Sequence, residues 1–163
     1  MLGKIKGDMS VKFAFGTALP ALFLAASTAF AAGSEESVLA QWEATPEQVF
    51  DASDIEIGDF MWSARPVVVF ADSPLDPAFQ TMMDNLSAEI EEVIERDIVI
   101  ITDTNPSEPS ELRRNLRPRG FQFVLIGKDG GVKLRKPFPW DMRELSRTID
   151  KMPMRQREIQ ARN

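Results

Sequence analysis

The chain has 163 residues, a formal net charge of −6, no cysteine and no histidine. Thiolate nucleophiles, disulfide bonds and metal sites built on imidazole or thiolate are therefore excluded at the outset. The acidic balance argues against a nucleic-acid partner, because phosphate backbones are repelled.

Lys4, Lys6 and Lys12 precede an apolar run from Phe13 to Phe30, which is broken by Pro20 and ends in Ala29-Phe30-Ala31. A basic stretch, an apolar core and a small-x-small end predict a secretory signal peptide over residues 1–31, cleaved between Ala31 and Ala32. The run approaches the ~18–20 residues that span a bilayer. Pro20 and the cleavage-like end favour removal over anchoring, so no stable membrane span is expected after cleavage. Met9-Ser10-Val11-Lys12 is also a sufficient basic start, which leaves Met1 and Met9 both open as the first residue. No cysteine follows the run, so lipid attachment at a mature N-terminal Cys is excluded. Cleavage would remove three lysines and Asp8. That takes the 19 basic and 25 acidic residues to 16 and 24, a net charge of −8. The remaining length supports a core without disulfides. The expected location is the periplasm or the exterior.

Residues 32–44 read as a leader. Thr45-Pro46-Glu47-Gln48 reads as a helix start, with Thr45 as cap, Pro46 in the first turn, and Val49 and Phe50 as apolar contacts. Asp51 to Ala64 reads as a loop whose Trp62 packs onto the core. Pro66-Val67-Val68-Val69-Phe70-Ala71 is a continuous apolar run, the pattern of a strand buried on both faces. Asp76-Pro77 then starts a helix of about five turns with Phe79, Met83, Leu86, Ile90 and Val93 on one face. Ile98-Val99-Ile100-Ile101 is a second buried strand, which makes a βαβ unit.

Thr102 to Glu108 reads as a loop and Ser110 to Leu116 as a short helix stopped by Pro118 and Gly120. Phe121 to Ile126 is a third strand. Gly127-Lys128-Asp129-Gly130-Gly131 is a turn, and Val132 to Arg135 returns antiparallel. Asp141 to Lys151 is the last helix, with Asp141 and Glu144 spaced as a capping box and Leu145 and Ile149 facing inward. Pro153 ends it, and Arg155 to Asn163 is expected to fray. The predicted boundaries are a leader with a short helix over 32–59, a folded domain over 60–157 and a tail over 158–163.

Strand, helix, strand, short helix, β-hairpin and helix resemble the thioredoxin fold. The expected class is α/β with three layers around a central mixed sheet. Arg119 to Ile126, followed by Gly127-Lys128-Asp129-Gly130, is similar to the thioredoxin and peroxiredoxin strand that is entered through a cis-proline. Four stretches carry a closer resemblance: Arg65 to Ala71, Glu95-Arg96-Asp97-Ile98-Val99, Gly127 to Leu134, and Met152-Pro153-Met154-Arg155. They resemble the domain of unknown function 4174 family, a thioredoxin- or peroxiredoxin-like domain of secreted proteins. The resemblance covers residues 60–157. It implies that Ala71 to Pro77 stands where thioredoxins carry Cys-x-x-Cys and that Gln122 stands at the cis-proline position. Asp72, Ser73, Pro74 and Gln122 then form a degenerate redox loop with no nucleophile.

Ser73 would need a base to act as a nucleophile, and there is no histidine to serve. A turn residue bonded to its own backbone is the simpler reading. Asp72, Ser73 and Asp76 offer three oxygens to a cation, but helix capping by Asp76 accounts for them. Asp103 to Glu108 lacks the central glycine and spacing of a calcium loop. No metal, cofactor or catalytic residue is assigned.

Arg113, Arg114, Arg117, Arg119, Lys128, Lys133, Arg135 and Lys136 put eight basic residues into a short span of an acidic chain. They read either as a solvated face or as a surface for an anion or a protein partner in the envelope. Phe138-Pro139-Trp140 packs on the last helix or meets a partner. Met82, Met83, Met152 and Met154 read as core filler and helix ends.

The function expected is an exported, non-catalytic binding module. The alternatives are a peroxiredoxin-related or degenerate oxidoreductase that works without a thiol, and a holdase.

Overall fold

The computed structural model describes residues 36–162, and the expected signal peptide lies outside them. Five strands form one mixed sheet: β1 (Val49–Asp51), β2 (Arg65–Phe70), β3 (Ile98–Asp103), β4 (Gln122–Ile126) and β5 (Val132–Lys136). Their order is β1-β3-β2-β4-β5. β1 and β2 run parallel to β3, whereas β4 is antiparallel to β2 and β5.

The apolar runs dictate this centre. Every residue of β2 is buried, as a strand covered on both faces requires. Alternate side chains build two cores. Val68, Phe70, Val99, Ile101, Val124 and Ile126 face one way, joined by Trp42, Phe50, Phe60 and Leu112. Val67, Val69, Ile98, Ile100, Phe123 and Leu125 face the other, joined by Met82, Leu86, Val93, Leu145 and Ile149. The first core is covered by α1 (Val38–Ala44), a 3-10 turn (Ile57–Phe60) and α4 (Glu111–Leu116). The second is covered by α2 (Pro77–Ala88), α3 (Ile90–Glu95) and α5 (Met142–Asp150). The chain therefore builds the expected three-layer α/β fold.

Several elements differ from expectation. The first helix precedes Thr45 instead of following it. Ser37 caps it by accepting from Ala40 N, and Thr45 is its last, non-helical residue. Pro46 sits just beyond a helix end, a position that suits it as well as a first turn does. Val49 and Phe50 consequently fall in β1, where Val49 pairs with Ile100. Residues 38–55 thus belong to the sheet and its core rather than to a leader. The long helix is two pieces, α2 and α3, separated at Glu89, whose φ of −123° and ψ of 45° leave the helical region. Met82, more than Met83, fills the core. Trp62 stands outside the core at 65% exposure, and Phe60 takes the buried place. Beyond Pro153 the chain forms α6 (Pro153–Arg162) rather than a fraying tail.

The hairpin turn closes through Gly127 N to Gly131 O at 2.9 Å. Gly130 adopts a φ of +75°, which explains a glycine there. Among the described residues no helix is long and apolar enough to cross a membrane.

Candidate functional site

The C-terminal end of β2 is the strand-to-helix junction where the resemblance places a redox loop. Asp76 Oδ1 caps α2 by accepting from Ala78 N at 2.7 Å and Phe79 N at 3.2 Å. Ser73 Oγ accepts from Leu75 N at 3.1 Å, so its hydroxyl closes a turn on its own backbone. Leu75 projects from this loop at 77% exposure. Beneath the loop lies Arg113, which the sequence grouped with surface cations. It is buried instead. Arg113 Nε donates to Asp103 Oδ1 at 2.8 Å, and Nη2 donates to Ala71 O at 2.7 Å and Asp103 O at 2.8 Å. The guanidinium also lies 5.5 Å from the Phe70 ring centre. Ser110 Oγ donates to Asp103 Oδ2 at 2.6 Å and accepts from Arg113 N, capping α4.

Arg113 is therefore a staple between the ends of β2 and β3 and the start of α4. Its charge is met by Asp103, and Asp72 Oδ1 lies 3.6 Å away. Gln122 opens β4 opposite Phe70, with its Oε1 buried and unpaired. No peptide bond among the described residues is cis, so Gln122 does not reproduce the cis-proline feature. Among the described residues no cluster of acidic side chains is arranged to hold a metal ion.

The other basic residues do not share one face. Arg114 Nη1 donates to Pro109 O, and Arg117 ends α4 in the left-handed region at φ 49°. Arg119 is exposed. Along β5 the sides alternate. Arg135, exposed, donates to Leu116 O at 2.7 Å, whereas Lys136 lies over the Trp140 ring at 4.6 Å. Trp140 is half-buried against Phe123, while Phe138 is exposed. Lys133 pairs with Asp129 at 2.7 Å. The hydrogen bond from Lys133, with one from Gly131 N, holds the Asp129 carboxyl below its ordinary range.

Lys128 belongs to the opposite end of the sheet, about 20 Å from the junction along a six-residue strand. There the structure gathers groups that the sequence reading did not connect. Arg65, only 1% exposed, donates from Nη1 to Arg96 O at 2.8 Å and from Nη2 to Glu158 Oε1 at 2.7 Å. Lys128 Nζ lies 2.8 Å from Asp97 Oδ2 and 3.1 Å from Glu158 Oε1. Arg96 grips Asp150 with Nε at 3.1 Å and Nη2 at 2.9 Å, and meets Glu92 Oε2 through Nη1. Arg155, also 1% exposed, donates to Glu95 O and Glu95 Oε1. Burial opposes charge on Asp150, but hydrogen bonds and attraction from Arg96 and then Arg155 hold its carboxyl below the ordinary range. Burial likewise opposes charge on Glu158, and Arg65 and Lys128 overcome it. The Arg96 guanidinium is desolvated too, yet Asp150, Glu92 and Glu95 raise its pKa.

This network fastens α6 to β2 and α3. Next to it opens a cavity of about 400 Å³, lined by Trp62, Lys128, Met152, Met154 and Arg157 among others. The signal for this end lay in the sequence. All four stretches that carry the family resemblance contribute residues to the network or to the cavity.

No curated protein matches the chain. Among solved structures, the reduced 2-Cys peroxiredoxin of Plasmodium vivax aligns with a TM-score of 0.51 at 13% identity, covering 63% of this chain and 85% of that one. A chloroplastic thioredoxin z aligns with a TM-score of 0.49 at 20% identity, covering 64% and 93%. The peroxiredoxin likeness agrees with the strand order above and concerns the fold alone. Residues 56–158 match the family described as Domain of unknown function (DUF4174), most of the described fold and both ends of its sheet. This chain belongs to that family.

Proposed function

We propose that the chain is an exported binding domain that uses the thioredoxin-type fold without redox chemistry. One observation carries this reading. The junction that would present a thiol is closed by turn and cap hydrogen bonds from Ser73 and Asp76, over an Arg113 already matched by Asp103. Each stretch of the family resemblance instead contributes residues to the ion-pair network or the cavity at the other end of the sheet. Export rests on the leader's basic, apolar and small-residue pattern. An acidic chain with basic side chains around its cavity suits an anionic or protein partner in the envelope.

The test is turnover of hydrogen peroxide and of an insulin disulfide by the purified protein with thiol reductants supplied. Rates equal to buffer are expected. Catalytic turnover that survives removal of trace contaminants would overturn the reading.

A further inference from the structure

We propose that the cavity between Trp62, the β4–β5 turn and the start of α6 binds a small amphipathic acid: an apolar body carrying one anionic head. This deepens the binding reading by naming a site and a ligand class.

The first support is the cavity itself. Its volume of about 400 Å³ lies in the range of small-molecule sites. Trp62, Met152, Pro153 and Met154 supply apolar walls. Thioether side chains are flexible and polarisable, so they adapt to varied apolar bodies. Gly127 lies in the lining. A Cβ there would fall 2.5 Å from Lys133 Cε and 2.6 Å from Asp129 Oδ1, so the bare backbone leaves room for the Lys133–Asp129 pair at the edge of the cavity.

The second support is Trp62. Its φ of 66° lies in the left-handed region, where a bulky residue is strained by about 1–3 kcal/mol. Its N–H donates to Lys128 O at 2.7 Å, and Ala64 N donates to Phe60 O at 2.9 Å, which fixes the turn. The outcome is a large indole held out of the core, at 65% exposure, on the cavity wall. An indole so placed offers an aromatic wall to a ligand.

The third support is charge. Arg65 and Lys128 are matched by Asp97 and Glu158, and Lys133 by Asp129. Arg157 also lines the cavity and has no carboxylate within 4.0 Å among the described residues. The site therefore offers one uncompensated guanidinium, which suits a single carboxylate or sulfonate rather than a polyanion.

The experiment titrates the full chain with anilinonaphthalene sulfonate, an aromatic anion, and with neutral phenylnaphthylamine. Saturable one-to-one binding with a blue shift is expected. Arg157→Gln should weaken the sulfonate about tenfold, the scale of one charge-assisted hydrogen bond, while shifting the neutral probe less than about twofold. Trp62→Ala should weaken both probes. Decanoate should displace the sulfonate at a lower concentration than decanol does. Leu75→Ser, on the far loop, should change nothing, and far-ultraviolet dichroism should confirm that each variant is folded. Non-saturable binding, equal loss of both probes in Arg157→Gln, no loss in Trp62→Ala, or loss in Leu75→Ser would overturn the proposal. Such a failure alongside absent redox turnover removes this site and leaves the binding reading; redox turnover removes the binding reading whatever the probes do.

Discussion

Phe60 and Trp62 lie two residues apart and have opposite surroundings. Phe60 is fully buried, edge-on to Phe50 at 6.0 Å, whereas Trp62 is mostly solvated. Phe60→Ala should therefore cost about 3–5 kcal/mol. Trp62→Gly should change stability by less than about 1 kcal/mol, because relief of backbone strain offsets the greater freedom of glycine when unfolded. Urea midpoints with unchanged slopes would measure both; a large loss from Trp62→Gly would mean that its indole supports the fold. Sequence alone favours the opposite assignment, because tryptophan is the larger apolar residue. Nothing nearby, neither glycine nor asparagine, marks position 62 as left-handed. Arg113 was hidden for a related reason. Its partners Asp103 and Ala71 lie ten and forty-two positions away, on strand ends that only the fold brings together.

At the scale of elements, α6 is held chiefly by charge. Its buried contact is Arg155, and Glu158 reaches Arg65 and Lys128. Asp150 and Glu158 have folded pKa values below their ordinary ones. The stability they supply is fully present above the unfolded carboxyl values, near pH 4, and is lost as pH falls through the lower folded values. Acidification from pH 6 to about 3 should therefore lower hydrogen-exchange protection in α6 first, with β2 and α2 following. Simultaneous loss throughout would show that the network does not act locally. The central strands were legible because buried parallel strands form unbroken apolar runs, and the hairpin because Asp-Gly and Gly-Gly specify its turn. The break at Glu89 was not, since no proline or glycine announces it. The helix α6 was not, since its apolar periodicity is weak and its partners are ionic.

For the whole molecule, the folded unit begins before the first strand. Trp42 lies in the core beneath β2 and β3, with Val38 and Leu39 packed beside it. A chain shortened to start at Val49 loses a buried tryptophan and its neighbours, about 3–5 kcal/mol against a typical total of roughly 5–15. Its melting temperature should fall by ten degrees or more on the order-of-magnitude scaling for such a size. A melting temperature matching that of a chain starting at Glu36 would place the boundary later. Thr45-Pro46 obscured this limit, because proline is at home both after one helix and at the start of another.

The strand β5 closes one side of the sheet with Lys133, Arg135 and Lys136 in four residues, and Pro137 follows directly. An open ladder of amides and carbonyls invites another chain to add itself. Here a second molecule arriving side by side would bring ammonium and guanidinium groups against their own kind, and the proline supplies no donor to extend the ladder. Crowded conditions should thus leave this border unextended, guarding an otherwise hydrophobic sheet against fibril-like stacking.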